Sequence, residues 1–187
     1  MKASIGMLAS QLNDPETIAS LLKRYSGDLL CFSLSATCQS PVMWAHYAGN
    51  NSGFVIQFDT NHQWFRRRGD GSATRLQRVS YLDADLEEVL QDPQGAFISK
   101  SAEWSYEQEW RLYCGIQHIE KTVGSAADPI HLMSFPRDAV SAVILGPKAS
   151  QEATTRARDI MAASYPNAQL LVAQPILFGK SYELAKA

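Results

Sequence analysis

An α+β fold with a mixed, largely antiparallel β-sheet core and helices packed around it is predicted, and three observations predict it. The order of elements is irregular and lacks the βαβ alternation of a parallel sheet. Runs such as GFVIQFD at 53–59, rich in aromatic and β-branched residues, read as strands. Marked helix starts at Asn13-Asp14-Pro15-Glu16 and at Ser150 interrupt the strands. The 187 residues are enough for one well-cored domain and too few for two, so residues 1–187 are read as a single domain. With 45% hydrophobic and 19% charged residues, the composition is that of an ordered globular chain.

In chain order, an Asn or Asp cap, Pro15 in the first turn and Glu16 at the positive end of the dipole start a helix. Ile18, Leu21, Leu22 and Tyr25 follow at helical spacing, and Gly27 ends it. Leu29–Ser33 reads as a short strand. Pro41–Ala48 reads as a helix of one or two turns, with Pro41 at its first position and Gly49 after its end. Strands are expected at Gly53–Asp59 and Arg75–Tyr81, and helices at Ala84–Gln91 and from Pro93 to about Glu103. A strand is expected at 107–116, a loop at Gly124–Pro129, and strands at Ile130–Phe135 and Ala139–Leu145. Ser150–Ser164 is the clearest helix, capped by Ser150 with Glu152 in its first turn. Leu170–Ala173 and Pro175–Phe178 read as terminal strand pieces.

A formal net charge of −2 gives no global basic field of the kind a nucleic-acid binder needs. The local cluster Arg66-Arg67-Arg68, with Arg75 and Arg78 nearby, is read as a solvated loop or helix end, against a phosphate-binding patch as the minority reading. The three cysteines, Cys31, Cys38 and Cys114, form no CxxC pair, and the four histidines are scattered, so no metal site is expected. Cys31 and Cys114 lie in apolar runs and read as buried thiols in a reducing cytosol. No stretch approaches a membrane span and the start is a poor signal peptide, so a cytoplasmic protein without a membrane partner is expected.

The richest chemistry lies in KSAEWSYEQEWR at 100–111. On a strand at 107–116, Glu107, Glu109, Arg111 and Tyr113 would share one face and Gln108, Trp110, Leu112 and Cys114 the other. Neighbouring acids repel unless a ligand, a cation or Arg111 compensates them. The plain alternative is an edge strand whose Glu–Arg pairs face water. Two weaker candidates precede it. Ser33 and Ser35, two apart on a strand, present hydroxyls to a ligand or to a neighbouring loop. Met43, His46 and Tyr47 lie on one side of a helical turn, with Trp44 pointing toward the core. His46 is a general base or substrate donor on one reading, and a structural helix-end histidine on the other. A hydrolytic triad is set aside because no GxSxG turn occurs. A metal-assisted phosphodiesterase would need Asp59 beside Glu107 and Glu109. The Glu-x-Lys strand of one nuclease type is not matched, since position 109 is Glu and Lys100 is too far upstream on the same strand.

NDPE at 13–16, CFS at 31–33, MWAHYAG at 43–49, GFVIQFD at 53–59, WSYEQEWR at 104–111 and AVILGPKAS within 139–150 resemble the signatures of a bacterial family, the domain of unknown function 2971. The resemblance runs over nearly the whole chain. That family sits near abortive-infection and toxin–antitoxin proteins, and its layout is similar to the ADP-ribosyltransferase fold. The resemblance implies an NAD-using ADP-ribosyltransferase or NAD glycohydrolase of antiphage defence, with NAD as substrate and a protein or nucleic acid as acceptor. Glu109 would be the catalytic acid, Glu107 would position the acceptor, and Ser33 and Ser35 would line the pocket with Trp44, Tyr47 and Arg111. Relatives carry a further tyrosine- and basic-rich strand before the NDP motif. Here MKASIGMLASQL precedes it with Lys2 as its sole basic residue. The upstream Arg or His of a transferase has no match, so His46 substitutes or the chain is a shortened or inactive form. The alternative is a non-catalytic nucleotide- or protein-binding module of the same fold, in which Arg111 or another basic residue ties up both glutamates.

Overall fold

The computed structural model describes residues 29–66, 76–82, 95, 97–176, 179 and 181–187. The helices expected after Asn13 and at 84–91, the NDPE motif, and Arg67, Arg68 and Arg75 lie outside them. Within them the fold is α+β, with mixed and antiparallel sheets. Strand β1 (Leu29–Ser35) and helix α1 (Pro41–Tyr47) are followed by β2 (Phe54–Phe58). Short strands β3 (Gln77–Arg78), β4 (Ser80–Tyr81) and β5 (Ser99–Lys100) lead to β6 (Glu109–Gly115). A hairpin of β7 (Lys121–Ser125) and β8 (Asp128–Leu132) precedes β9 (Val140–Leu145). Helix α2 (Gln151–Ser164) and strands β10 (Gln169–Pro175) and β11 (Tyr182–Lys186) complete the order.

Among the described residues, β1–β6–β3 form one antiparallel sheet with β6 in the middle. A second sheet runs β11–β10–β9–β2, in which β9 and β10 are parallel and the other neighbours antiparallel. The β9–α2–β10 crossover produces that parallel pair. Both helices start as their sequences dictate. The Ser40 and Ser150 hydroxyls accept from the amides of Met43 and Ala153, and Pro41 opens α1. After α1, Gly49, Asn50 and Asn51 all take positive φ, a left-handed loop that suits Gly and Asn. Its carbonyl at Asn51 is met by Gly146, where any Cβ would collide with the oxygen.

Two apolar clusters hold the sheets. Trp44, Ala48, Ile144 and Ala173 form one under α1, and the Trp44 indole N–H donates to the Cys38 carbonyl at 2.7 Å. Trp64, Phe65, Leu112 and Ala139 form the other, with Leu34, Phe58, Leu76 and Phe135 packed against it. Ile144 is fully buried on central strand β9. Ile144→Val removes one methylene from a packed site and is expected to cost about 1 kcal/mol in a denaturant titration.

Several expectations are corrected. The helix expected from Pro93 is helical at Gly95 and Phe97, then turns into β5 at Ser99 and a 3₁₀ helix at Ala102–Glu107. β-Branched and aromatic residues at 97–98, and the sheet pairing of β5 with β4, override the helical pattern. The loop expected at Gly124–Pro129 is mostly strand, because Gly124 and Pro129 face each other within a hairpin that turns at 126–127. The last strand is β11, not Pro175–Phe178, and Phe178 lies outside the described residues. Cys31 is exposed, since it shares the polar face of β1 with Ser33 and Ser35, whereas Cys114 is buried on the opposite face of β6. Burial raises the Cys114 thiol pKa, as expected of an inert core cysteine. No helix among the described residues is long and apolar enough to cross a membrane.

Candidate functional site

The β1–β6 register sorts the candidate residues by face. Ser33 pairs with Arg111, Ser35 with Glu109 and Cys31 with Tyr113, so these six share one face. Phe32, Leu34, Trp110 and Leu112 take the other face, from which Leu34 and Leu112 join the second apolar cluster. Glu107 does not lie on the strand, as the sequence reading had it. It ends the preceding 3₁₀ helix, and Gln108 then takes a left-handed conformation at φ +46° before β6 begins. A non-glycine residue in that region costs about 1 kcal/mol, so the surrounding bonds hold it there. The Gln108 amide donates to Ser105 and its carbonyl accepts from Ala36.

The two carboxylates nonetheless converge. Glu107 and Glu109 are 4% and 5% exposed, which excludes the water-facing edge strand. Lys100, on β5, bridges them: its ammonium bonds Glu107 Oε2 and lies 3.3 Å from Glu109 Oε2. Arg111 grips Glu109 with two prongs, Nε to Oε1 at 2.8 Å and Nη2 to Oε2 at 3.1 Å. The Ser33 hydroxyl donates to Glu109 Oε1 at 2.8 Å, and the Tyr47 hydroxyl donates to Glu107 Oε1 at 2.7 Å. All four carboxylate oxygens therefore have protein partners, and two acids face two bases.

Lys100 is the participant that sequence reasoning missed. Its place in the sequence is too far upstream to join the glutamates along one strand, and it arrives on a separate one. The arrival is built into β6: Arg111 Nη1 and the Tyr113 hydroxyl both bond the Phe97 carbonyl, which anchors the segment entering β5. Ser80 and Leu82 on the other side fix Ile98 and Lys100 by backbone bonds. The Lys100 ammonium also sits 4.9 Å from the Trp104 ring centre. A short β-prone run, FISK, between helical patterns was the signal that could have found it.

The electrostatics follow from this geometry. Burial works to raise the Glu109 pKa, but the bonds from Arg111 and Ser33 and the charges of Arg111 and Lys100 outweigh it and bring it down to about 2. Burial also opposes the Lys100 charge, and the bonds to Glu107 and Glu109 more than offset that, leaving its pKa raised. The Glu109 bond raises that of Arg111. The bond to Glu107 raises the Tyr47 phenol pKa.

An open cleft of about 630 Å³ lies beside the cluster, between the two apolar cores. Ser35, Trp44 and Tyr47 border it, as expected of pocket residues. Trp44 does so from a core position, with 1% of its surface exposed. Ser33, His46, Glu107, Glu109 and Arg111 do not line it. Leu34 and Trp110, which do line it, sit on the opposite face of β1 and β6 from Glu109 and Arg111, and Ser35 reaches it from the end of β1 although it shares their face. Tyr47 joins the two regions, bordering the cleft with its hydroxyl on Glu107. His46 is exposed and makes edge-on ring contacts with Tyr47 at 6.2 Å and Tyr106 at 6.3 Å. Asp59 is employed in its own turn, accepting from the Asn61 amide at 2.9 Å. Among the described residues no three His, Cys, Asp or Glu side chains are grouped as a metal ion would need.

These features define an α+β protein with a buried, charge-balanced acid cluster beside an open cleft. Residues 43–112 match the model of a family described as protein of unknown function (DUF2971). No curated protein and no solved structure matches the chain. The matched span is narrower than the resemblance read from the motifs. It contains Tyr47, Lys100, Glu107, Glu109 and Arg111 and leaves Ser33 and Ser35 outside.

Proposed function

We propose that the chain is a nucleotide-binding module of ADP-ribosyltransferase-like layout that holds its ligand without turning it over. The observation that carries this reading is the bonding of all four glutamate oxygens by Ser33, Tyr47, Lys100 and Arg111. A carboxylate stabilises a developing cation best when its charge is uncompensated in a dry site. Glu109 already faces a bidentate guanidinium and an ammonium, so little of its field is left for a substrate. The acid cluster instead acts as a rigid frame that presents Ser35 and Tyr47 to the cleft. The cleft volume falls within the range of small-molecule sites.

The second reading is an NAD-consuming transferase or NAD glycohydrolase of antiphage defence or toxin–antitoxin type. The Ser33–Glu109 bond favours it, because it joins the serine strand to the proposed catalytic acid. In that reading Lys100 swings away, Glu109 faces the nicotinamide ribose, and Glu107 and His46 attend the acceptor. The defence setting comes from the resemblance. One pair of measurements separates the readings. NAD is expected to raise the melting temperature while nicotinamide release stays at background. Release that Glu109→Gln abolishes would establish the second reading, and release unchanged in that variant would exclude Glu109 as its acid. No melting shift and no binding heat with NAD would remove the nucleotide reading.

A further inference from the structure

We propose that the cleft takes an uncharged nitrogen heterocycle with an adjacent donor and acceptor, and leaves any phosphate outside; the inference rests on the nucleotide reading above. The cleft lining contains, among the described residues, no Lys, Arg, His, Asp or Glu. Leu34, Val55, Phe58 and Trp110 give it apolar and aromatic walls. Burying a phosphate there would strip its hydration with no cation among the described lining residues to replace it. Lys100 and Arg111 are held by the glutamates, and Arg111 lies on the other face of β6 from the lining residue Trp110; Arg78, which pairs with Trp110 from β3, is exposed and lies outside the lining. A flat neutral ring meets no such penalty and gains the walls' apolar area.

Orientation comes from the polar groups of the lining. Ser35 is already employed: its hydroxyl donates to the Glu107 carbonyl at 2.6 Å and accepts from the Thr37 amide. Tyr47 donates its proton to Glu107. The side chains of Gln57, on β2, and Thr60, just beyond it, have no hydrogen-bond partner among the described residues. A glutamine amide offers one acceptor and two donors in a plane. It matches the N6–N7 edge of adenine or a carboxamide with two parallel bonds. The structure thus assigns Gln57 as the residue that orients the ring, with Thr60 beside it.

Calorimetric titration of the full chain with adenosine, nicotinamide, inorganic pyrophosphate and NAD, each alone, tests this. At least one of the two rings is expected to bind, pyrophosphate is expected to give no heat, and Gln57→Leu is expected to weaken ring binding tenfold or more. Gln57 is exposed, so its variant should keep the wild-type melting temperature; Thr60→Val serves as a second, milder probe. Failure of both rings to bind, ring binding untouched by Gln57→Leu, or binding of pyrophosphate would overturn the inference. NAD binding alongside any of those results leaves the nucleotide reading standing. Ring binding that Gln57→Leu weakens, with no binding of NAD, would remove that reading and keep the inference.

Discussion

Lys100→Met should destabilise the protein by about 4 kcal/mol, because removing one partner of a buried ionic group leaves the other charges uncompensated. In this protein the charge left unpaired is that of Glu107, beside a second ionised carboxylate. Glu107 and Glu109 are 5% exposed or less and share the one ammonium. Arg111 neutralises Glu109 and makes no contact with Glu107, whose remaining bond is the neutral Tyr47 hydroxyl. For a chain of this size the loss corresponds to roughly 10 °C in melting temperature. A distinctive pH response accompanies it. With Lys100 gone, the folded carboxylate pair holds a proton more tightly than separate unfolded carboxylates do. The variant therefore gains stability relative to wild type as pH falls from neutral toward the ordinary carboxylate range. Lys100→Met combined with Glu107→Gln should recover much of the loss, since the unpaired charge is then absent. Melting curves of the three proteins between pH 4.5 and 7.5 measure this. A single variant within 1 kcal/mol of wild type and parallel to it in pH would show that the bridge does not hold the cluster.

The fold was legible where local chemistry decides it. Pro41, and Ser150 with Glu152, each set a helix start, and both helices begin there. Strands β1, β2, β9 and β10 were marked by apolar or β-branched runs. The failures share a cause: partners distant in sequence. Short strand β5 is ordered by β4 and by the Phe97 carbonyl, which Arg111 and Tyr113 hold, and neither is visible from a helical pattern at 93–103. The stretch Gly124–Pro129 reads as a loop because Gly124, Asp128 and Pro129 are turn residues, yet cross-strand pairing places them in a hairpin, with Gly124 at positive φ.

The candidate site shows the same division. A shared face for Glu109, Arg111 and Tyr113 followed from the period of two and is present, as is the contact of Glu109 with the serine strand. The place of Glu107 depended on one residue, Gln108, whose left-handed backbone breaks the strand without any glycine to announce it. Which face the cleft opens on was beyond the sequence. It depends on how the β1 sheet packs against the β2 sheet, and that is set by Leu34, Phe58 and Leu76 meeting in one cluster.

Glu109→Gln is the second large effect, and its pH profile separates a structural charge from a catalytic one. The Glu109 pKa falls from an ordinary 4.5 to about 2 on folding. A depressed carboxylate contributes stability that is fully present above its unfolded value and is lost as pH falls through its folded one. The wild type should therefore lose about 3 kcal/mol from this group between roughly pH 4.5 and 2. The side chain is 7% exposed, so solvent screening takes little of it. Glu109→Gln should be about 3 kcal/mol less stable at neutral pH and should lack that part of the acid slope. Urea titrations at intervals from pH 2.5 to 7 measure both quantities. The variant keeps a side chain of the same shape, and Ser33 retains an acceptor at that position. Its loss is then chiefly that of the charge facing Arg111 and Lys100. If the acid slope persists unchanged in Glu109→Gln, Glu109 is not the ionised centre of the cluster. If the slope disappears while NAD binding persists, the carboxylate serves the frame of the site rather than its ligand, as its three bonded neighbours, Ser33, Lys100 and Arg111, require.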